Sequence, residues 1–523
     1  MLIMLSVTYS SYIVLCIGTA FILRFLSPPS DNGHDDLWDR INKVGVPKGV
    51  FPWTRAVLGS TYALLRNAHE GYQKFSKHDL PFALPTVWTG KAVVVVPKSA
   101  LHLTNRSENE LIGFPALVEN IQLSYFIPDR DVIQNAIHFE VARKDLTKRN
   151  LDRQLAPTAE EIESCFRSLW GDKTEWTVVN GWDMCGQIIT RVALRTLLGF
   201  PACRNEELVN VTKQFANHLF TAAALINCTP PALRPIVAPI LALPTKLYRA
   251  HYRKIVLPLI HDRIRKREQY EKPGQGELPS DFLQWLIARA TQHGPEHLDA
   301  SKLSYRLLAL NTMFVYAMGF IFSQTVIDFM HGMASECWAA VNQHPEEGLA
   351  SGEALDQLHR IDSAIRESMR LSDVAVVNMP RDVVGNKSLD LGNGIVCPPG
   401  TRLSYPTQSI HTDPDFWDDP LRFNAFRFSD PEKSGRTPLN EQQQGPRKER
   451  ERLVDLTTTF LAWGYGKKAC PGRWYAGQTM KQCLAYMVMH YEVELVGRPP
   501  QRKALLNAMV PPTDVKLRFR RKS

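Results

Sequence analysis

Cys470 is the residue in this sequence with the clearest chemical potential. It lies in the stretch WGYGKKACPGR, with Lys467, Lys468 and Arg473 close by in the chain. Nearby cations and a helix N-terminus both favour the thiolate form of a cysteine, and a helix is predicted to begin beyond Gly472. At this point the thiol could be a metal ligand, a nucleophile, or a structural cysteine buried in the turn before a helix.

A second pair of residues has spacing that could serve chemistry or structure. In IDSAIRESMRL, Glu367 and Arg370 are three residues apart. On a helix that spacing places both side chains on one face. A surface ion pair of this kind contributes little to stability, so the pair alone does not distinguish a solvated helix face from a functional element.

The Cys470 stretch closely resembles the haem-binding loop of the cytochromes P450, an aromatic-x-x-Gly-x-basic-x-Cys-x-Gly motif. Trp463, Gly466, Lys468, Cys470 and Gly472 fill its positions, with Trp and Lys in place of the commoner Phe and Arg or His. The resemblance covers roughly residues 1 to 520 and is closest to microsomal-type fungal members. It implies haem b (iron protoporphyrin IX) as cofactor, with the Cys470 thiolate as the axial ligand of the iron.

The same resemblance assigns a role to the Glu367–Arg370 pair. The pair matches the family's ExxR helix, and RFNAFRF resembles the aromatic-Arg-Phe element that places Arg427 beside it. The resemblance implies that these three residues form a structural lock for the scaffold of the haem loop.

Three further residues match positions that contact haem propionates in the family. Arg381, in NMPRDV, stands where the family has a propionate-binding arginine before a strand. His138 and Arg143, in NAIHFEVARKDLTKRNL, match the helix that adds further propionate contacts. Without the resemblance, His138 would be interpreted as a surface histidine or as a core histidine whose ring nitrogens are hydrogen-bonded.

The central helix departs from the family pattern at the oxygen-activating position. The fungal subgroup carries LNxxxxHTTS, and here the sequence is LALNTMFVYAMGF. Asn311 keeps the register, which puts Tyr316 and Ala317 at the His and first Thr positions, and Gly319 at the Ser position. We expect Ala317, Tyr316 and Gly319 at the catalytic position, with no alcohol at Ala317 and with Gly319 permitting a local kink.

A slipped register is the alternative interpretation of this helix. In that case Ser323 or Thr325 would supply the hydroxyl group. Both residues lie more than one helical turn beyond Ala317, which disfavours the slipped-register interpretation.

The resemblance implies a mainly α fold with small β-sheets (α+β), in which a long central helix lies over the haem. Helical periodicity runs from about 135 to 335, and the nearly all-apolar segment 302–339 is predicted to be a buried central helix. Strands are predicted in 81–103 and 374–411. The five prolines of 229–246 predict a loop or short turns, and 429–452 is predicted to be a charged surface loop.

The N-terminus predicts a membrane anchor. Its first 23 residues carry no charge, and a spanning helix needs about 20 mostly apolar residues. Basic residues follow the segment and none precedes it, which places the remaining chain in the cytosol. We therefore expect an anchor over 1–26, a linker over 27–50 and a single catalytic domain over 51–523. The location predicted is the endoplasmic reticulum membrane, with a single-pass anchor.

Composition excludes several other classes of protein. The nine cysteines are widely spaced with no CxxC pair, which argues against a disulfide framework or a zinc site. The net charge of +9 suits an acidic partner or an anionic lipid surface. No zinc-finger spacing or aromatic-interleaved basic motif accompanies that charge, so nucleic acid is not an expected partner.

The expected function is that of a haem-thiolate monooxygenase. Substrate-lining segments by resemblance are 112–127, 215–240, 309–320 and 374–380, and all are mostly apolar. We expect a lipophilic polyketide, terpenoid or alkaloid intermediate, with O2 and electrons from NADPH–cytochrome P450 reductase. Ala317 suggests an unusual outcome such as ring expansion, coupling, desaturation or rearrangement. The alternatives are a haem-thiolate isomerase, dehydratase or peroxygenase, or a membrane-anchored binding protein with a degenerate haem site.

Overall fold

The computed structural model describes residues 35–270, 279–328, 333–429 and 451–523. The predicted anchor over 1–26 and most of the predicted loop over 429–452 lie outside the described residues. Part of the predicted 27–50 linker is folded: helix α1 (Asp35–Arg40) precedes strand β1 (Asn42–Lys43), which pairs with the next strand of the main sheet. This part is ordered because Leu37 and Ile41 are buried against that sheet.

Helices make up most of the described chain. The main ones after α1 are α2 (Pro52–Lys74), α3 (Phe114–Asn120), α4 (Leu123–Phe126), α5 (Arg130–Gln134), α6 (Ile137–Lys144), α7 (Lys148–Asp152), α8 (Leu155–Leu169), α9 (Gly181–Leu198), α10 (Glu206–Asn227), α11 (Arg234–Leu241), α12 (Leu243–Tyr270), α13 (Phe282–His293), α14 (Ala300–Asp328), α15 (Ala334–Asn342), α16 (Gly352–Asp356), α17 (His359–Leu371), α18 (Thr407–His411) and α19 (Arg473–His490).

The predicted central helix is present as α14, which is unbroken over 29 residues and buried on nearly all sides. It packs against α9, α10, α12, α17 and α19. Among the described residues it is long and apolar enough to cross a membrane, but 78% of its apolar window is buried inside the protein. A helix that is apolar all round requires such surroundings, and here other helices supply them.

The strands form one larger sheet and three small ones. The larger sheet has the order β1-β2-β3-β9-β6-β4, and β10-β13-β5 form a second sheet beside α8 and α9. The predicted strand pair in 81–103 is confirmed, because β2 and β3 are antiparallel with Phe82 opposite Val95. The strands after β1 are β2 (Phe82–Pro85), β3 (Ala92–Val95), β4 (Leu111–Ile112), β5 (Thr177–Asn180), β6 (Asn378–Val383), β7 (Leu389–Asp390), β8 (Val396–Cys397), β9 (Arg402–Tyr405), β10 (Tyr491–Val496), β11 (Ala504–Leu505), β12 (Ala508–Met509) and β13 (Lys516–Arg521).

The prediction of a loop over 229–246 was wrong. A short 3-10 turn leads into α11, and α12 begins directly afterwards. Two of the prolines are compatible with these helices because Pro235 lies in the first turn of α11 and Pro244 in the first turn of α12, whereas Pro239 lies inside α11. Backbone N–H groups in a first turn have no partner within the helix, so proline removes no hydrogen bond there.

Candidate active site

The chain around Cys470 folds into a tight loop that is closed by its own backbone. The Cys470 N–H donates to the Trp463 carbonyl at 2.7 Å. Gly464 and Gly466 both have positive φ, the left-handed region that favours glycine. A Cβ on Gly466 would also lie 2.3 Å from Asn105 Oδ1, so glycine is required there for space as well.

Cys470 sits at the entrance of α19, with its side chain exposed. Among the cysteines of the described residues, it is the exposed one, whereas the others are buried or half-buried. Desolvation raises the pKa of the thiol, while the N–H groups of Gly472 and Arg473 and the charge of Arg473 act in the opposite direction. The thiol is therefore surrounded by protein yet accessible, as a ligand for a bound group must be.

The aromatic residue of the motif connects the loop to the chain that precedes it. Trp463 is buried, and its indole Nε1–H donates to the carbonyl of Leu453 at 2.8 Å. Gly472 faces the central helix, because a Cβ placed on it would lie 3.5 Å from the ring of Phe314. The loop and α14 thus face each other across the position of Cys470.

Three of the cations predicted to bind the cofactor, Lys468, Arg143 and Arg381, lie around one acid, Glu108, that the sequence did not mark. Lys468 donates to Glu108, and this hydrogen bond, together with the charges of Lys468, Arg143 and Arg381, lowers the pKa of Glu108. Desolvation lowers the pKa of Arg381, with Tyr405 and Glu108 opposing it. One carboxylate for three cations leaves positive charge available, which fits the two propionates of a haem.

The structure does not bring His138 into this cluster. It is fully buried on α6, and neither ring nitrogen has a hydrogen-bond partner among the described residues. Burial first, and then the charge of Arg306, lower its pKa to about 3. On a helix, positions 138 and 143 point about 140° apart. Phe139 shares the face of Arg143 instead and packs against Phe114 with ring centroids 5.4 Å apart.

The predicted lock is assembled in a fully buried position. Arg370 donates to both carboxylate oxygens of Glu367 at 2.7 and 2.9 Å, and Arg427 Nε donates to Oε1 at 2.9 Å. The three side chains are at most 2% exposed. Arg370 also donates to the carbonyls of His411 and Pro420, so the lock fixes the chain that leads from the sheet to the Cys470 loop.

Two residues predicted at the catalytic position point elsewhere. The ring of Tyr316 stacks on Phe220 of α10 at 3.9 Å and meets Trp182 of α9 edge-on at 5.9 Å. Burial raises the pKa of Tyr316. Gly319 faces α9, because a Cβ there would lie 3.9 Å from the Cα of Gly186. These contacts could not be predicted, because the sequence does not reveal which neighbouring helix covers which face of α14.

Ala317 lies on a different face of the helix from Gly319. It is half-buried and shares its side of α14 with Phe314, whose ring centroid is 5.1 Å from that of Tyr475 on α19. Residues three apart on a helix lie on the same side. Ala317 is therefore the member of the predicted catalytic trio that remains on the side of the Cys470 loop.

The slipped-register alternative finds no support in the side chains concerned. The hydroxyl of Thr325 donates to the carbonyl of Ile321 at 2.8 Å, within its own helix. Ser323 lies against Cys185 of α9. Neither hydroxyl lies within one helical turn of Ala317.

Comparisons with known proteins indicate the family to which the chain is similar. A family model described as Cytochrome P450 matches residues 84–519. The chain is 30% identical to the cytochrome P450 monooxygenase gloP of Glarea lozoyensis, over 94% of this chain and 92% of the relative. It is also 30% identical to the cytochrome P450 monooxygenase okaG of Penicillium ochrochloron, over 96% and 97% of the two chains.

A solved structure supports the fold alone. The retinoic-acid-bound cyanobacterial CYP120A1 is similar with a TM-score of 0.59 and 17% identity, covering 87% of this chain and 93% of that one. The accessible thiol, the glycine-shaped loop and the cation cluster around one acid all fit a haem. The chain belongs to the cytochrome P450 family, and haem is its cofactor.

Proposed function

We propose that this haem-thiolate monooxygenase oxidises a lipophilic secondary-metabolite intermediate, with Cys470 as the axial ligand. The observation that carries the assignment of Cys470 is its position: an exposed thiol at the start of α19, on a glycine-shaped loop that faces α14. When bound, the haem supplies dioxygen activation, and thiolate ligation favours O–O cleavage.

The chain's own cations would hold the carboxylates of the cofactor. Arg381 lies beside Gly113, whose added Cβ would be 2.4 Å from the Arg381 guanidinium, so glycine leaves the room this side chain needs. Lys468 and Arg143 approach the same region through Glu108. Charge-assisted hydrogen bonds of this kind orient a planar group as well as binding it.

Half-buried apolar side chains in the segments predicted to line the substrate site support a lipophilic substrate. Met313 and Phe314 are half-buried on α14, and Val118 and Phe220 are half-buried on α3 and α10. Apolar walls with few polar groups are typical of sites for small lipophilic molecules. We infer a polyketide, terpenoid or alkaloid intermediate, a class in keeping with the fungal monooxygenases that the chain resembles.

Proton delivery must then proceed without an alcohol at position 317 of the helix. Ala317 supplies no donor, and Tyr316 is packed away between α9 and α10. Ordered water or a polar group of the substrate would take over this task. Because Ala317 stands where the alcohol is usual, we propose ring expansion, coupling, desaturation or rearrangement as the outcome rather than simple hydroxylation.

The same observation supports a second candidate function. An isomerase, dehydratase or peroxygenase of this fold would need no external electrons, and Ala317 is compatible with that chemistry. Turnover that depends on NADPH and its reductase would reject this candidate, whereas equal turnover with peroxide alone would favour it.

The reductase is expected to meet the basic residues near Cys470. Lys467 and Lys468 are exposed, and Arg473 is half-buried with its guanidinium donating to the Cys470 carbonyl at 2.9 Å. Because Lys468 is engaged by Glu108, Lys467 is the cation of this group best placed for an acidic partner. Such charges steer association more than they add affinity.

An exposed apolar surface supports the proposed membrane location. The α11–α12 segment is tied to the β2–β3 turn, because Arg234 donates to the Trp88 carbonyl, and α2 reaches the same turn through Ser60, which accepts from the Val87 N–H at 3.0 Å. Exposed apolar side chains on neighbouring elements suit a lipid surface. The exposed large apolar residues on these elements are Leu58 and Tyr62 of α2, and Ile236, Ile240, Leu243, Leu247 and Leu259 of α11 and α12.

The test of the proposed function is spectroscopic and chemical. The wild-type protein, reduced and exposed to carbon monoxide, should show the absorption band characteristic of thiolate ligation. Cys470→Ser should abolish the band, and the matched control Cys228→Ser, at a half-buried thiol elsewhere, should keep it. Absence of the band in the wild type would reject a haem-thiolate enzyme and leave the degenerate binding protein. With NADPH and reductase, a panel of lipophilic fungal intermediates then tests the substrate class.

A further inference from the structure

His411 joins two parts of the site that are far apart in the sequence. It is the last residue of α18, and its carbonyl accepts a hydrogen bond from Arg370 of the lock. Its ring Nε2 accepts the backbone N–H of Leu461 at 2.8 Å. Leu461 is the residue at which the chain enters the Cys470 loop.

The path continues from Leu461 into the loop itself. The Leu461 carbonyl accepts the N–H of Gly464 at 2.8 Å, and the neighbouring Trp463 carbonyl accepts the N–H of Cys470. Leu461 is fully buried. Loss of its acceptor would therefore leave a buried N–H without a partner, which is more costly than losing an exposed hydrogen bond.

The surroundings of His411 keep its ring neutral and fixed. Burial first, and then the charges of Arg370 and Arg366, lower its pKa to about 3. The ring is stacked on Phe460 at 5.6 Å with an interplanar angle of 23°. Because Nε2 accepts, the ring proton resides on Nδ1, and the lone pair of Nε2 stays aimed at the loop.

We propose that His411 is a positioning residue for Cys470, which transmits the alignment of the Glu367–Arg370–Arg427 lock to the loop that presents the thiol. The proposal rests on the proposed function, in which Cys470 is the axial ligand. In this proposal the lock acts on the loop through His411. Arg370 fixes the backbone of His411 by donating to its carbonyl, and the imidazole of His411 fixes the backbone of Leu461 by accepting its N–H.

A pair of closely matched substitutions separates this role from packing. In His411→Gln, the side-chain oxygen can reach the position of Nε2 and accept the Leu461 N–H. In His411→Asn, the shorter side chain reaches only the position of Nδ1. Both variants lose the aromatic ring and place an amide at the same buried site, so a difference between them reports the hydrogen bond.

Two measurements on the full-length protein read out the effect. The first is the reduced, carbon monoxide-bound spectrum, in which loss of thiolate ligation moves the band away from its characteristic position. The second is amide hydrogen exchange of the peptide containing Leu461. We expect His411→Gln to resemble the wild type, and His411→Asn to lose much of the thiolate band and to exchange about tenfold faster at Leu461.

The outcomes distinguish the inference from the proposed function. If Gln and Asn behave alike in both measurements, whether like the wild type or both impaired, His411 is not a positioning residue. If the wild type itself lacks the thiolate band, the proposed function fails. The exchange rates of the two variants then still decide whether His411 holds the loop.

Discussion

The side of the site that carries Cys470 and the side formed by α14 are held in different ways. On the loop side, buried charges and hydrogen bonds fix the backbone: Glu367 binds Arg370 and Arg427, and His411 accepts from Leu461. On the helix side, the contacts are apolar and aromatic, as in the stack of Tyr316 on Phe220.

This difference determines where the chain can vary. A buried polar network tolerates little substitution, because removal of one partner leaves another desolvated and unsatisfied. Apolar surfaces accept changes of similar volume more readily. We infer that substrate and outcome are set on the α14 side, where Ala317 replaces the usual alcohol, while the loop side preserves the ligation of the iron.

The largest effect is expected at the lock. Glu367→Gln removes the carboxylate shared by Arg370 and Arg427 and leaves two buried guanidinium groups without it. Breaking a buried ion pair in this way costs about 3–5 kcal/mol, so the variant should unfold at lower denaturant concentration and retain little haem. Chemical unfolding and haem content measure both effects.

A surface pair provides the control for this prediction. Glu163 and Arg167 are 47% and 63% exposed on α8. Glu163→Gln should change the free energy of unfolding by less than about 1 kcal/mol. Equal losses in the two variants would contradict the assigned importance of the lock.

The sequence predicted the loop side better than the helix side, for a physical reason. The Cys470 motif and the Glu367–Arg370 pair are local patterns, and their residues take up their relative positions within one loop or one helical turn. The contacts of Tyr316 and Gly319 could not be predicted, because the neighbours of a position on a buried helix depend on the elements that pack around it. An all-apolar sequence does not mark the faces of such a helix.

Contacts between distant segments escaped prediction for a related reason. Glu108 and His411 carry no motif of their own, and each becomes important because folding brings it to Lys468 or Leu461. The helical content and the central helix followed from periodicity. The segment 229–246 was wrongly predicted to be a loop, because a new turn or helix begins near most of its prolines. These prolines therefore lie in first turns, where they remove no hydrogen bond.

The next prediction compares two buried acids. Glu367 binds Arg370 and Arg427, whereas Asp373 has no ion pair among the described residues. Asp373 is fully buried at the start of the 374–380 segment, and its carboxylate accepts the N–H of Val374 at 2.7 Å. Burial raises its pKa to about 7, with hydrogen bonds from Val374, Thr407 and Asn378 opposing the shift.

The sign of the resulting pH dependence follows from linkage. Because the folded pKa is above the unfolded value, the unfolded chain releases the proton first, and stability falls as pH rises from about 4 to about 7. The loss attributable to Asp373 should be roughly 3 kcal/mol. Asp373→Asn should flatten this part of the profile of melting temperature against pH, and an unchanged profile would contradict the assignment.

A smaller effect is expected at the cation cluster. Arg381→Leu removes a charge that burial already disfavours, so the protein without haem should lose little stability. Affinity for haem should fall by about 10–100-fold, because a charge-assisted hydrogen bond to a propionate is lost. Haem titration of the reconstituted protein measures it. Arg106→Leu, at an exposed pair with Glu110, should bind haem like the wild type.

The smallest structural effect, and the most informative one for the chemistry, is expected from Ala317→Thr. Thr312 and Thr325 on the same helix donate to the carbonyls of Leu308 and Ile321, four residues back. A threonine at 317 can bond to the carbonyl of Met313 in the same way, so the melting temperature should hardly change.

The fraction of NADPH electrons recovered in product rather than in peroxide should change in Ala317→Thr, because a hydroxyl now lies on the loop side of α14. Thr325→Ala, which removes a hydroxyl about two helical turns beyond Ala317, should leave this fraction as it is. If Ala317→Thr leaves it unaltered too, then the missing alcohol does not limit the reaction, and the proposed unusual outcome loses its basis in the helix.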